Sequence, residues 1–259
     1  MIPIPGPSYG GSALVPLESQ KFTASGTFTP TYTGWYWVVG MPGGGGGGYD
    51  QGGGGSSGRP FAGWVWLTAS VGVTVTIGPA GVGATANSAP GTSGGETIFG
   101  TYFRTVAAYV GLGGHYNSLG GPAGLGFTPG GKGYSSSEDG PSWGGSTASQ
   151  NGAGTNLIDF IIAFTQSWTL SRGTGGSKGV PGNGGGGAGG LQVDADSVKG
   201  ADTVPDNPAN KSYGGVGYGG GGAGGDGGGS ARSGSNGAAG VLLVEGPVLH
   251  PIYGADAAP

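Results

Sequence analysis

Apolar positions recur along the chain in short runs, and run after run ends in glycine. The clearest sets Val71, Val73, Val75 and Ile77 against Gly72, Thr74 and Thr76, a period of two that predicts a half-buried strand with hydroxyls on its outer face. Residues 22–29 and Trp35-Tyr36-Trp37-Val38-Val39 are rich in aromatic and β-branched side chains and predict two more strands. Residues 157–164 are apolar almost throughout, with Asp159 inside. Pattern alone fits a buried strand or a short helix; the short length and the Phe and Ile content favour a strand, extended through Trp168 to Leu170. Val241-Leu242-Leu243-Val244 predicts a closing strand buried on both faces. Trp35, Trp37, Trp64 and Trp66 stand at i, i+2 spacing on strands and are expected in the core or at a subunit interface.

Glycine fills the intervals, notably residues 43–48, 184–190 and 219–229. With 70 glycines and 18 prolines in 259 residues, the chain excludes a helical protein. An isolated glycine tract reads as a flexible linker, but these recur inside one alternation of strands. They are therefore expected to pack as a layer of left-handed threefold, polyglycine-II-type segments, with surface loops as the alternative. Six residues in that conformation span about 19 Å, the length of an ordinary strand. Ordering so much glycine opposes folding by on the order of tens of kcal/mol. Hydrogen bonding between glycine segments, oligomerisation, or both must offset it.

Charge narrows the partners. Only 8% of residues are charged and the formal net charge is -4, so no basic field exists to hold a phosphate backbone, and nucleic acid is not an expected partner. The absence of cysteine excludes disulfides and thiolate metal sites. No apolar run has the length of a membrane helix, and the amino terminus lacks the features of a secretion signal. Prolines 3, 5, 7 and 16 favour extended chain. The expected organisation is an attachment strip over residues 1–20, a glycine-rich β domain over 21–245 and a tail over 246–259.

The order of these pieces carries a resemblance. Phe22 followed by Gly26-Thr27-Phe28-Thr29, the glycines at 43–48, Val73-Thr74-Val75-Thr76-Ile77-Gly78 with its Pro79-Ala80-Gly81 turn, Gly91-Thr92-Ser93-Gly94-Gly95-Glu96-Thr97-Ile98-Phe99-Gly100, and the closing Gly237-Ala238-Ala239-Gly240-Val241-Leu242-Leu243-Val244 resemble the glycine-rich domain of bacteriophage tail-fibre and tail-tip proteins. The resemblance covers roughly residues 21–245. It implies a virion protein, an all-β antiparallel sandwich of jelly-roll-like character with polyglycine segments, and an adhesin-like role at a fibre tip. The chain departs from the pattern at Thr29-Pro30-Thr31-Tyr32-Thr33-Gly34 and over residues 115–215, where private function is expected.

Catalytic patterns mostly dissolve into glycine arithmetic. Gly-x-Ser-x-Gly occurs at Ser8, Ser56, Ser93, Ser142 and Ser177, and no helical pattern follows any of them, as a nucleophile elbow requires. Asp194 and Asp196 match the start of a calcium loop, but Lys199 and Pro205 stand where its glycine and glutamate belong. Glu138 and Asp139 are adjacent, so on a strand they face opposite ways, and Asp159 is the carboxylate most in need of a partner. No enzyme, metal or cofactor is expected. Aromatic groups set among small polar residues suit recognition better: Tyr49, Asp50, His115, Tyr116, Asn117, Tyr134, Trp143, Tyr213 and Tyr218 are the candidate contacts, each ring alternatively roofing the glycine layer. The expected protein binds a host cell-surface glycan or outer-membrane protein, meets other virion proteins through its termini, and assembles as a homo-oligomer, a trimer. The competing expectations are a purely structural collar, head-fibre or tail component, and a polysaccharide-degrading spike.

Overall fold

The computed structural model describes residues 16–50, 52–86, 89–105, 165–176, 184–203, 211–225 and 233–248. Among them there is no helix, and every strand pairing is antiparallel. The protein is all-β. Strands β1 (Glu18–Phe22), β10 (Val241–Val248), β3 (Gly34–Met41) and β4 (Phe61–Leu67) form one four-stranded sheet in that order. Strands β2 (Gly26–Phe28), β5 (Val73–Thr76), β6 (Ile98–Phe99) and β7 (Phe103–Arg104) form a second. A two-stranded sheet joins β8 (Leu170–Arg172) to β9 (Leu191–Val193).

Side-chain alternation explains how these sheets stack. From the first sheet, Tyr36, Val38, Val65, Leu67, Leu242 and Val244 meet Phe28, Val73, Val75 and Phe99 of the second in one core. The opposite parity, Trp37, Val39, Met41, Val241 and Leu243, meets Leu170, Leu191 and Val193 of the small sheet, with Tyr218, in another. The first sheet is thus the middle layer, and its central strands read as continuous apolar runs because both faces are covered. Rings pack edge-on within the first core, with Phe28 and Tyr36 at 5.5 Å between centroids and 71° between planes.

Three details add to the sequence pattern. Val71 is 57% exposed, because the strand begins only at Val73 and Val71 lies in a turn where its N–H donates to the Thr68 carbonyl. The tryptophans share one face in two cross-strand pairs, Trp35 opposite Trp66 and Trp37 opposite Trp64, yet only Trp37 is buried and Trp66 is half exposed. The first sheet also takes in residues on both sides of the expected boundaries at 20 and 246, since Glu18 pairs with Gly246. Residues 157–164, including Asp159, lie outside the described residues.

From one end of the layers the chain continues as extended glycine segments, buried over 43–48, 184–190 and 217–225. Their hydrogen bonds repeat every three residues. Gly43 and Gly46 donate to Gly95 and Thr92, Gly44 and Gly47 to Ala238 and Ser235, and Gly45 and Gly48 to Ser56 and Gly53. In return, Gly81 and Ala84 donate to the carbonyls of Gly44 and Gly47, and Gly222 and Gly225 to those of Gly45 and Gly48. One six-residue segment is therefore bonded to five neighbours, which a flat ladder with a period of two does not permit. The spacing between segments leaves no room for a side chain: a Cβ on Gly47 would sit 1.9 Å from the Ala223 oxygen, and one on Gly215 would sit 1.6 Å from that of Ala188. The resulting Cα–H to carbonyl contacts add weakly to the lattice. Amides 43–48 are accordingly expected to exchange with deuterium only on global unfolding, a result that hydrogen-exchange mass spectrometry or NMR would register. Exchange at free-peptide rates would contradict the packing.

Candidate functional site

The glycine lattice has two ends of different character. At the near end its segments run into the sheets, as Met41 into the chain at 43, Thr76 into Gly78 and Gly240 into Val241. At the far end stand the described residues that flank positions 51, 87–88, 177–183, 204–210 and 226–232. Hydrogen bonds bring the last described residues of these segments together: Gly225 donates to Gly48, Gly234 to Ala84, Gly224 to Gly185, Gly185 to Gly52, and the Ser212 hydroxyl to Gly184. The described residues flanking these five interruptions thus gather at one end of the lattice. The described chain begins and finishes at the other, because Glu18 and Gly246 pair beyond Trp35, opposite the end of β10 that receives the lattice.

Tyr49 and Asp50 flank the first of these interruptions. Both are half-buried, and Asp50 takes a left-handed backbone at φ 40°, which an aspartate tolerates better than most side chains. Tyr213 lies beside the same end and is 41% exposed. Tyr218 does not belong with them. It is 5% exposed, its ring packs in the second core, and its hydroxyl donates to Asp196 Oδ2 at 2.7 Å, so it is a core residue and its expected role as a contact is withdrawn. His115, Tyr116, Asn117, Tyr134 and Trp143 lie outside the described residues.

The acidic residues weighed for calcium have another use. Lys21 Nζ on β1 lies 3.1 Å from Asp196 Oδ2 and 3.8 Å from Asp194 Oδ2. The carboxylates sit on a turn in which Asp194 and Ala195 both have positive φ, and this clamp fastens the small sheet to the first. Among the described residues no group of three potential ligands gathers as a metal site would require. The bonds from Tyr218 and Lys21 hold the Asp196 carboxyl below the usual carboxylate value, while burial and that same carboxylate push the Tyr218 phenol up. A carboxyl whose folded value is depressed stabilises the fold above its unfolded value, and that contribution is lost as pH falls through the folded one. The melting temperature is thus expected to decline on acidification from about pH 5 to about pH 3, with Asp196→Asn reducing that decline by the equivalent of less than about 1 kcal/mol. Thermal melts of both proteins across that window provide the measurement.

A second cluster stands at the far end. Asp202 Oδ2 receives Lys199 Nζ at 2.8 Å and Lys211 Nζ at 3.1 Å, and its Oδ1 accepts the Gly214 N–H at 3.0 Å. Lys211 Nζ also lies 5.3 Å from the centre of the Tyr213 ring. Burial alone would raise the Asp202 value, but the bonds from Lys199, Gly214 and Lys211 outweigh it and keep the carboxyl below its ordinary range. Of this cluster the sequence pattern singles out Tyr213 alone as a contact; the approach of Lys199 and Asp202 to it depends on a pairing in which Thr203 and Ser212 exchange hydrogen bonds.

One buried acid escaped the sequence pattern. Glu245, 4% exposed on β10, accepts the backbone N–H of Gln166 at 3.0 Å and of Ser167 at 2.8 Å. It follows four apolar residues, and a carboxylate so placed needs donors. Comparison with protein-family models and with curated proteins finds no match for this chain.

Proposed function

We propose that this protein is a bacteriophage virion appendage that binds the host cell surface through the loops at the far end of its glycine lattice. The observation that carries the reading is polarity: described residues flanking five interruptions of the glycine segments gather at one end, while Glu18 and Gly246 pair at the other. Such a body can be fixed by its termini to other virion proteins while presenting loops outward, and rigid support is what precise recognition requires. The lattice is read as polyglycine-II-type because its bonds repeat every three residues. The facing four-stranded sheets are read as a jelly-roll-like sandwich. A homotrimer is the proposed assembly, and a glycan or outer-membrane protein the proposed receptor; no catalytic step is assigned.

The test uses purified full-length chain and intact particles. Pre-incubating cells with the chain is expected to block particle adsorption, and shortening the far-end connections at 204–210 and 226–232 is expected to lower it. Unchanged adsorption in both experiments would leave the protein a structural component. Mass in solution measures the assembly.

A further inference from the structure

We propose that the corner formed by Lys199, Asp202, Lys211 and Tyr213 binds a negatively charged saccharide, one bearing a carboxylate or a phosphate. This deepens the receptor reading and rests on it.

The argument begins from scarcity. The chain has nine lysines and arginines in 259 residues, and two of them converge here on one carboxylate oxygen. One acid against two ammonium groups leaves a net positive charge. Exposure reinforces the imbalance, because the Lys199 and Lys211 side chains are 46% and 36% exposed and that of Asp202 only 13%. An anion approaching from solvent therefore meets the ammonium groups before the acid. Each ammonium has three N–H donors, so the bond to Asp202 leaves others for a ligand. Tyr213 supplies a half-exposed ring beside Lys211, a surface on which the C–H face of a sugar can lie.

The corner is also held in advance. Thr203 and Ser212 are buried and bonded to each other, Ser212 Oγ donates to the Gly184 carbonyl at 3.0 Å, and Gly214 N–H fixes Asp202. Asp202 thus orients both lysines without needing the ligand, which limits the ordering cost on binding. A purely structural cross-link would account for the ion pairs, but it would not require the exposed ring.

The experiment titrates isotope-labelled full-length chain with three probes: a galacturonic acid trisaccharide, a phosphorylated hexose, and a neutral galactose trisaccharide. Shifts at the Gly214 amide report binding. The charged probes are expected to bind at least tenfold more tightly than the neutral one and to weaken as salt is added, up to a ligand concentration of about 10 mM. Their relative affinities distinguish carboxylate from phosphate. Lys211→Met and Tyr213→Ala are each expected to lower affinity at least fivefold, while Lys211→Arg retains it, with melting curves showing that the variants fold. Equal binding of the neutral probe, indifference to Lys211→Met, or no shift with either charged probe would overturn the site. Should the probes fail while the chain still blocks particle adsorption, the site falls and the receptor reading stands. Should they bind while adsorption proceeds unhindered, the reverse holds.

Discussion

Replacing Gly47 with alanine is expected to unfold the protein or to lower its melting temperature by more than about 10 °C, the equivalent of roughly 4 kcal/mol or more in a chain of this size. The new Cβ would stand 1.9 Å from the Ala223 oxygen, 2.4 Å from its carbonyl carbon and 2.8 Å from the Gly224 nitrogen. All three are backbone atoms, so no rotamer change relieves the overlap. Reaching ordinary contact means moving two segments apart by about 1.5 Å, and each segment is tied to others at the same residues. Gly47 donates to Ser235 and accepts from Ala84, Ala223 accepts from Ser235, and Gly224 donates to Gly185. Separation would strand several buried donors and acceptors, each at a cost of about 1–3 kcal/mol. Gly26→Ala is the control. There the Cβ meets only the Phe22 ring, with Cε1 at 3.6 Å and Cδ1 at 3.8 Å, and loss of unfolded-state freedom should leave stability unchanged or raise it by up to about 1 kcal/mol. Thermal denaturation of the two variants decides the matter: equal behaviour would mean that the lattice is not close-packed.

Removing the Glu245 carboxylate is expected to have the next largest effect. Its oxygens accept two backbone N–H groups of the chain approaching β8, across 78 and 79 residues of sequence. Glu245→Ala leaves both donors without this acceptor in a buried place and should destabilise by about 3 kcal/mol; Glu245→Gln keeps one carbonyl oxygen but turns an amide donor on the N–H pair, and should cost about half as much. The loss has a local signature, because Trp168 lies one residue beyond Ser167 and packs on the second core. Deuterium exchange at Gln166 and Ser167 should quicken in both variants more than at β3. Uniform acceleration would point instead to general destabilisation without a local anchor.

How far the sequence reached depended on what each element needs. Val73 to Ile77 announces itself because one sheet face is buried, which writes a period of two into local composition, and Trp35 to Val39 because both faces are covered, which leaves a continuous run of large apolar residues. The run from Val241 to Val244 likewise signalled burial on both faces, and the order of glycine tracts between strands gave the expectation of a packed layer. Strands β6 and β9 were not legible: with two and three residues they carry too little pattern, and they exist because a longer neighbour offers them an edge. Glu245 could have been suspected by the reasoning that singled out Asp159, since both carboxylates interrupt or follow an apolar run.

The all-β class, the exclusion of a helical protein and the scarcity of charge follow from composition and periodicity, which are local and survive without coordinates. What only the tertiary structure decided is which glycine tracts are neighbours, which aromatic rings face inward, and which charges meet. Glycine has no side chain to encode a partner, so the register of one tract against another is set by the strands that deliver it and by backbone bonds repeating every third residue. For the same reason Tyr218 and Tyr213, five residues apart in similar surroundings, part company: one roofs the second core with its hydroxyl on Asp196, and the other stands at the surface beside Lys211.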